Sequence, residues 1–275
     1  MNHYLIAVDL DGTLLTTQKK ISNRTKLTLQ SMIQLGNDVV IATGRPKRTS
    51  LSYFKELELQ TPLINLNGAI VHDPYEETRE QHLPISQQTA NEVLAICYDL
   101  GIENVLAEVR HDFYMHKQGK MNMALDVDGL SAVAIGDLRQ LIQTDVTSFT
   151  IHPRLTHAQR LFDELQNNFS HLLTVRDWGD PQRTIEILNK KASKASGVEF
   201  VARHLGYEKE QIIAFGDELN DLDMLLYAGT SVAMGNAREV VKNMADFVTE
   251  SCDQDGIAIF LEQHVLDGKS VISKG

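Results

Sequence analysis

The stretch Tyr4-Leu5-Ile6-Ala7-Val8-Asp9-Leu10-Asp11-Gly12-Thr13-Leu14-Leu15 decides the fold. An apolar run with β-branched members, stopped by an acid and a Gly-Thr turn, is the pattern of a buried parallel strand ending at the carboxyl edge of a sheet. Ligands of open α/β sheets bind at that edge. Side chains alternate along an extended segment, so Asp9 and Asp11 leave the chain on one side while Leu10 turns into the protein. Two like charges so close repel unless a cation lies between them or one carboxyl keeps its proton. Both outcomes are chemically useful, because a divalent ion takes oxygen ligands and a protonated acid can serve a leaving group. In isolation the same residues read better as a strand closed by a polar turn, so the rest of the chain must decide.

Working outward, the polar residues 16–20 lead to Ser22, an N-cap for a helix that carries Leu27, Met32 and Leu35 and closes at Gly36. Residues 38–43, Asp-Val-Val-Ile-Ala-Thr, predict a second strand ending in Thr43-Gly44-Arg45-Pro46. A hydroxyl, free amides at a helix start and a guanidinium form an anion-binding combination, although alone they also describe an ordinary turn with a surface Arg. Residues 63–66 predict a third strand, followed by Asn67-Gly68-Ala69. This rhythm gives an α/β fold with a doubly wound parallel sheet.

From about Pro74 the texture changes. Residues 74–77 read as a turn and 86–100 as an amphipathic helix; 104–109 and 112–116 form a hairpin turning at Arg110-His111. Weaker helical and strand patterns follow at 138–142, 146–151, 155–169 and 172–175. These mixed short elements predict an inserted α+β module over residues 83–187, with a core built from 1–82 and 188–275. The parallel rhythm then resumes: a helix at 193–205 closing at Gly206, and a strand at 211–215 ending in Gly216-Asp217-Glu218-Leu219-Asn220-Asp221. A further helix precedes a short strand at 231–234, and residues 268–275 read as a loose tail.

Composition narrows the function classes. A net charge of −11 argues against a nucleic-acid surface, so any attraction for an anion must be local. No segment approaches the roughly 18 uninterrupted apolar residues of a membrane span. The N-terminus lacks a basic region before its apolar run, and a cytoplasmic protein is expected. Cys97 and Cys252 have no metal or disulfide spacing and read as buried thiols. The ten histidines are scattered, without a metal-binding helix pair.

Four strand ends thus present reactive groups: Asp9 with Asp11, Thr43 to Arg45, Asn67, and Asp217 with Asn220 and Asp221. They suit hard-metal binding beside a phosphate. Asp9 and Asp217 supply carboxylate oxygens, Asp221 is a further candidate at the metal, and Asn220 and Asp221 can orient the shell. Magnesium is the natural occupant. A lysine is wanted against a phosphorylated carboxylate, and Lys194 opens the helix before the resumed sheet.

With these residues in place, the chain resembles the haloacid dehalogenase superfamily of phosphatases. Its first motif appears as Asp9-Leu10-Asp11-Gly12-Thr13, its second as Thr43, its lysine as Lys194 and its acidic motif as Gly216 to Asp221. The order Ile-Ala-Thr-Gly-Arg, Asn-Gly-Ala, Gly-Asp-x-x-Asn-Asp and Val-Ala-Met-Gly-Asn-Ala is similar to the Cof-like branch, with Ala195 departing from the Gly common after the lysine. The resemblance covers both halves of the core, and across the middle it is architectural. Asp9 to Thr43 spans 34 positions, which the strand-helix-strand consumes, whereas Thr43 to Lys194 spans 151. The second interval has room for the inserted module, which the resemblance implies to be a C2-type α/β cap that selects substrate.

The resemblance implies a magnesium-dependent phosphatase acting on a small phosphorylated metabolite. Asp9 would be nucleophile and Asp11 acid/base; the ion would be held by Asp9, the main-chain carbonyl of Asp11 and Asp217. Leu10 and Gly44 through their amides, with Thr43, Lys194 and Asn220, would hold the phosphate. Arg45 reads either as a substrate contact or as a surface ion pair; Asn67 and Asn236 read as loop-shaping. Glu186 reads as strand polarity ahead of substrate contact. Two alternatives are a phosphomutase of the same fold and a non-catalytic phosphometabolite-binding regulator. The regulator would be expected to lack Asp9, Asp11 or Lys194, and this chain has all three.

Overall fold

The computed structural model describes residues 3–76, 80–118 and 132–266. Strand β1 (Leu5–Val8) is buried at every position, as a strand paired on both sides beneath flanking helices must be. Helix α1 (Asn23–Gln34) starts where Ser22 Oγ accepts the Thr25 amide at 3.1 Å, satisfying one of the donors every helix start leaves open. Strand β2 (Asp38–Ile41) returns parallel to β1, with Leu5 opposite Asp38 and Val8 opposite Ile41. Helix α2 (Lys47–Glu56) leads to β3 (Leu63–Asn65), which touches the parallel sheet through one bridge, Ala42 to Ile64.

The expected third strand stops one residue early. Leu66, Asn67 and Gly68 have φ of 48°, 51° and 87°, left-handed conformations that no strand can continue. The chain therefore reverses into β4 (Ile70–His72), antiparallel to β3, and leaves through β5 (Glu80–His82).

The inserted segment carries α3 (Gln87–Leu100), β6 (Ile102–Val109), β7 (Asp112–Met115), α4 (Leu138–Leu141), β8 (Ser148–Pro153), α5 (Ala158–Phe169), β9 (Leu173–Asp177) and β10 (Ile185–Asn189). The strands form an antiparallel sheet in the order β7-β6-β8-β10-β9. Its core unites Val93, Leu94 and Cys97 of α3 and Leu161 and Leu165 of α5 with Val105, Ala107, Phe149, Ile151, Ile185 and Ile187 from the strands. The strand period of two puts Glu186 on the opposite face, where Arg176 Nη1 lies 3.2 Å from its Oε2. The hairpin turn falls at Arg110, as its spacing predicts.

The chain then returns through α6 (Lys194–Leu205), β11 (Ile212–Gly216), α7 (Leu222–Tyr227), β12 (Thr230–Ala233), α8 (Glu239–Met244), β13 (Phe247–Val248) and α9 (Gly256–Leu261). The parallel sheet has the order β13-β12-β11-β1-β2, so β1 and β11 are adjacent and end together. This is the doubly wound sheet expected from the strand rhythm, with α1 packed beside α9 and α6 beside α7.

Two compact units result. One comprises Met1–Gly44, Ser50–Glu80 and Ser193–Gly275; the other comprises Arg45–Thr49 and Gln81–Ala192. Both cysteines are buried and free. The expected turn at residues 74–77 is described as far as Glu76, and the tail at 268–275 lies outside the described residues.

Candidate active site

The adjacency of β1 and β11 brings Asp9 beside Asp217. The Asp9 amide still donates to Phe215 O at 3.2 Å, so Asp9 is fixed as an extension of the ladder. Beyond it the chain coils: Thr13 and Leu15 amides donate to Leu10 O and the Leu14 amide to Asp9 O. Leu10 is fully buried, as alternation requires. Gly12 closes the turn at φ +81°, and a Cβ there would lie 2.2 Å from Asp217 Oδ2. The turn thus needs glycine twice over, for its backbone angle and for the approach of a carboxylate.

The two acids of Asp-x-Asp meet different lysines. Lys194 Nζ lies 2.6 Å from Asp9 Oδ1, and Lys19 Nζ lies 2.6 Å from Asp11 Oδ1. The first pair is buried and the second is largely exposed. Lys194 is the first residue of α6, where Ser193 and Ser196 cap each other reciprocally. Gly68 sets this helix start from behind, because a Cβ there would fall 2.0 Å from Ser193 O. Lys194 also reaches Asp221 Oδ1 at 2.5 Å.

Asp221 is fully buried, and its second oxygen accepts the amides of Asp217 and Glu218, each at 2.9 Å. Asp217 Oδ1 accepts the Thr13 hydroxyl at 3.1 Å, and its Oδ2 accepts Asn236 Nδ2 at 3.3 Å. Asp9, Asp217 and Asp221 offer oxygens within 4.8 Å of one another. Three carboxylates against the ammonium of Lys194 leave negative charge in excess. Burial, reinforced by the neighbouring carboxylates, pushes Asp9 up to about 8 against the attraction of Lys194. Burial and Asp221 likewise push Asp217 up to about 7. Burial works to lower Lys194, but Asp221 and Asp9 outweigh it and raise its pKa. An oxygen-only donor set with surplus negative charge fits a hard divalent cation.

Along the same edge stands Thr43, 2% exposed, its amide donating to Ile64 O. Asn67 ties two loops together: its amide donates to Thr43 O at 3.0 Å, and its Oδ1 accepts Asn220 Nδ2 at 3.0 Å. A Cβ on Gly44 would stand 3.2 Å from Asn67 Nδ2. Asn67 therefore shapes the loop, as its sequence reading anticipates, and in doing so joins Thr43-Gly44 to Asn220. Arg45 groups with the inserted unit, and its Nη1 donates to Thr49 O at 3.1 Å. Glu186 lies in that unit too, paired with Arg176.

Three contacts escape a reading by motif. Lys19 lies in the polar stretch 16–20, which carries no motif. Thr13 sits inside the quoted motif, but its acceptor is 204 positions away. Arg48 forms a buried, two-pronged pair with Glu108 at 2.7 and 2.8 Å, both within the second unit, with nothing local to announce it. Among the described residues, no helix is long and apolar enough to cross a membrane.

Comparison with known proteins agrees with this geometry. The family model for haloacid dehalogenase-like hydrolases matches residues 6–261. The chain is 38% identical to the 5-amino-6-(5-phospho-D-ribitylamino)uracil phosphatase YitU of Bacillus subtilis, covering 95% of this chain and 97% of that protein. It is 28% identical to the pyridoxal phosphate phosphatase YbhA of Escherichia coli, covering 97% and 100% respectively. The solved structure of the subclass IIB sugar phosphatase BT4131 superposes with a TM-score of 0.81 at 25% identity, over 94% of this chain and 98% of that one. A buried Asp9 beside Asp217 and Lys194, in a chain matched nearly end to end by such enzymes, leads to one conclusion: the protein belongs to the haloacid dehalogenase-like hydrolases, as a phosphomonoester hydrolase of the Cof-like branch.

Proposed function

We propose that the protein is a magnesium-dependent phosphatase of small phosphomonoesters, sugar phosphates or related metabolites, working through an aspartyl phosphate on Asp9. The observation that carries this reading is the placement of Asp9: a buried carboxylate at a strand end, sharing Lys194 with Asp221 and standing beside Asp217.

Asp9 attacks phosphorus in line; the bond from phosphorus to the alcohol oxygen breaks, and Asp11 gives that oxygen its proton. Asp11 then takes a proton from water as the water attacks phosphorus, and the bond to Asp9 breaks, returning the free carboxylate and inorganic phosphate. Thr43, Lys194, Asn220 and the amides of Leu10 and Gly44 hold the phosphate oxygens. Asp9, Asp217 and the Asp11 main-chain carbonyl are assigned to magnesium, which when bound offsets the charge of two anions that must meet. Asp221 is assigned to holding Lys194: two amides fill its Oδ2, and its Oδ1, which meets Lys194, is left as a further candidate ligand of the ion. Residues 1–82 and 188–275 are assigned to catalysis, and 83–187, with Arg45, to choosing the substrate.

The relatives named for a ribitylaminouracil phosphate, pyridoxal phosphate and sugar phosphates support a small-metabolite substrate. The test is phosphate release from p-nitrophenyl phosphate and a panel containing those three classes, in magnesium and in chelator. Release that needs magnesium and disappears in Asp9→Asn is expected. Release indifferent to the chelator, or undiminished in Asp9→Asn, sinks the proposal.

A further inference from the structure

The carboxylate of Asp217 is held from two sides by side chains of other segments. Thr13, 2% exposed, donates its hydroxyl to Oδ1 at 3.1 Å. Asn236, in the loop after β12, spends its amide in three directions: Nδ2 donates to Gly12 O at 2.8 Å and to Asp217 Oδ2 at 3.3 Å, while Oδ1 accepts the Cys252 amide at 2.9 Å. The donor at Cys252 and the acceptor at Gly12 fix which way round the Asn236 amide stands. Gly12 completes the seat, since any side chain there would occupy the position of Oδ2.

Asp217 needs such holding. Asp9 and Asp221 stand close by and repel it, and a free carboxylate in their company would swing toward solvent. Each carboxylate oxygen has two lone pairs, so one donor per oxygen still leaves a lone pair on each for an ion. A ligand turned and held in advance does not have to be ordered when the ion arrives, and groups bonded to ligands commonly set metal affinity for this reason.

We infer that Thr13 and Asn236 are positioning residues that pre-set Asp217 as a divalent-cation ligand, and that they govern how tightly this protein holds magnesium. The inference rests on the magnesium reading given above and goes past it, because neither residue is assigned a role there.

The experiment is calorimetric titration of the full chain with magnesium alone, alongside thermal unfolding in EDTA. Thr13→Val keeps the shape of a buried residue and removes the donor; Thr13→Ser keeps the donor; Asn236→Ala removes the other clamp at an exposed position. Thr13→Val and Asn236→Ala are each expected to weaken magnesium binding by about 10- to 100-fold, and Thr13→Ser to bind like the parent. Unfolding in EDTA separates this from simple damage: the loss of affinity is expected in variants that melt within a few degrees of the parent. Unchanged affinity in both variants, or equal loss in Thr13→Ser and Thr13→Val, overturns the inference. A parent chain that binds no magnesium fails earlier, at the proposed cofactor, and so distinguishes the two failures.

Discussion

Lys194 and Asp9, 185 positions apart in the chain, form a buried ion pair with Nζ 2.6 Å from Oδ1. The pair joins the first residue of α6 to the end of β1, and so ties the returning half of the core to the opening strand. Asp221, whose Oδ1 lies 2.5 Å from the same ammonium, makes the lysine a bridge.

Removing the bridge leaves buried carboxylates facing one another. Lys194→Met is expected to lower stability by about 3–5 kcal/mol in EDTA, the usual cost of breaking a buried pair from one side. Magnesium, by supplying other positive charge, should restore part of it. Urea unfolding with and without magnesium reads both; a variant as stable as the parent in EDTA contradicts the bridge.

The carboxyl values give a pH dependence. Asp9 rises from an ordinary 3.8 to about 8 and Asp217 to about 7 in the metal-free protein. A carboxyl raised on folding lends stability that is complete below its ordinary value and is lost as pH climbs through its folded one. Metal-free protein should therefore lose stability progressively from about pH 4 to about pH 8, and change little above that. Because the cation needs charged carboxylates, magnesium binding should release protons near neutrality and tighten as pH rises. Titration in two buffers of different ionisation enthalpy measures the release; no buffer dependence would count against the raised values.

Asp11 stands apart from the buried cluster and is paired to an exposed Lys19. Asp11→Asn is expected to fold normally and lose about 10²- to 10⁴-fold in turnover, the range for a lost acid/base group. The loss should be greater for alkyl phosphates, whose leaving oxygen needs a proton, than for p-nitrophenyl phosphate. Equal losses on both would remove Asp11 from the first proton transfer. Lys19→Met should change stability by less than about 1 kcal/mol, as exposed pairs do.

Gly12→Ala combines backbone strain at φ +81° with a methyl 2.2 Å from Asp217 Oδ2. The expected result is a loss of more than about 1 kcal/mol in stability together with weakened magnesium binding. A stable variant with full affinity would show that the turn can move away from Asp217.

Local signals account for much of this fold. The apolar run into Asp9, the Ser22 cap of α1 and the Gly206 end of α6 are short-range features, and each element stands where its pattern predicts. Asp9, Thr43 and Asp217 also share one sheet edge, because the parallel strands that precede them end there. Less legible is whatever depends on distant partners. The hydroxyl of Thr13 gains its meaning from Asp217, Lys19 from Asp11 across a turn, and Arg48 from Glu108 in an inserted strand. Leu66 looks like a strand residue by its apolarity, yet it enters a left-handed turn in which Gly68 must lack a Cβ to approach Ser193. Periodicity cannot carry such a requirement, because the requirement comes from a helix that begins more than a hundred residues later.

If Asp9 carries the phosphoryl group, the phosphorylated protein can be trapped. Protein acid-quenched during turnover of p-nitrophenyl phosphate with magnesium should yield a peptide phosphorylated at Asp9, with hydroxylamine removing the phosphate and Asp9→Asn giving none. Steady turnover with no phosphate ever found on Asp9, and undiminished in Asp9→Asn, would contradict the account.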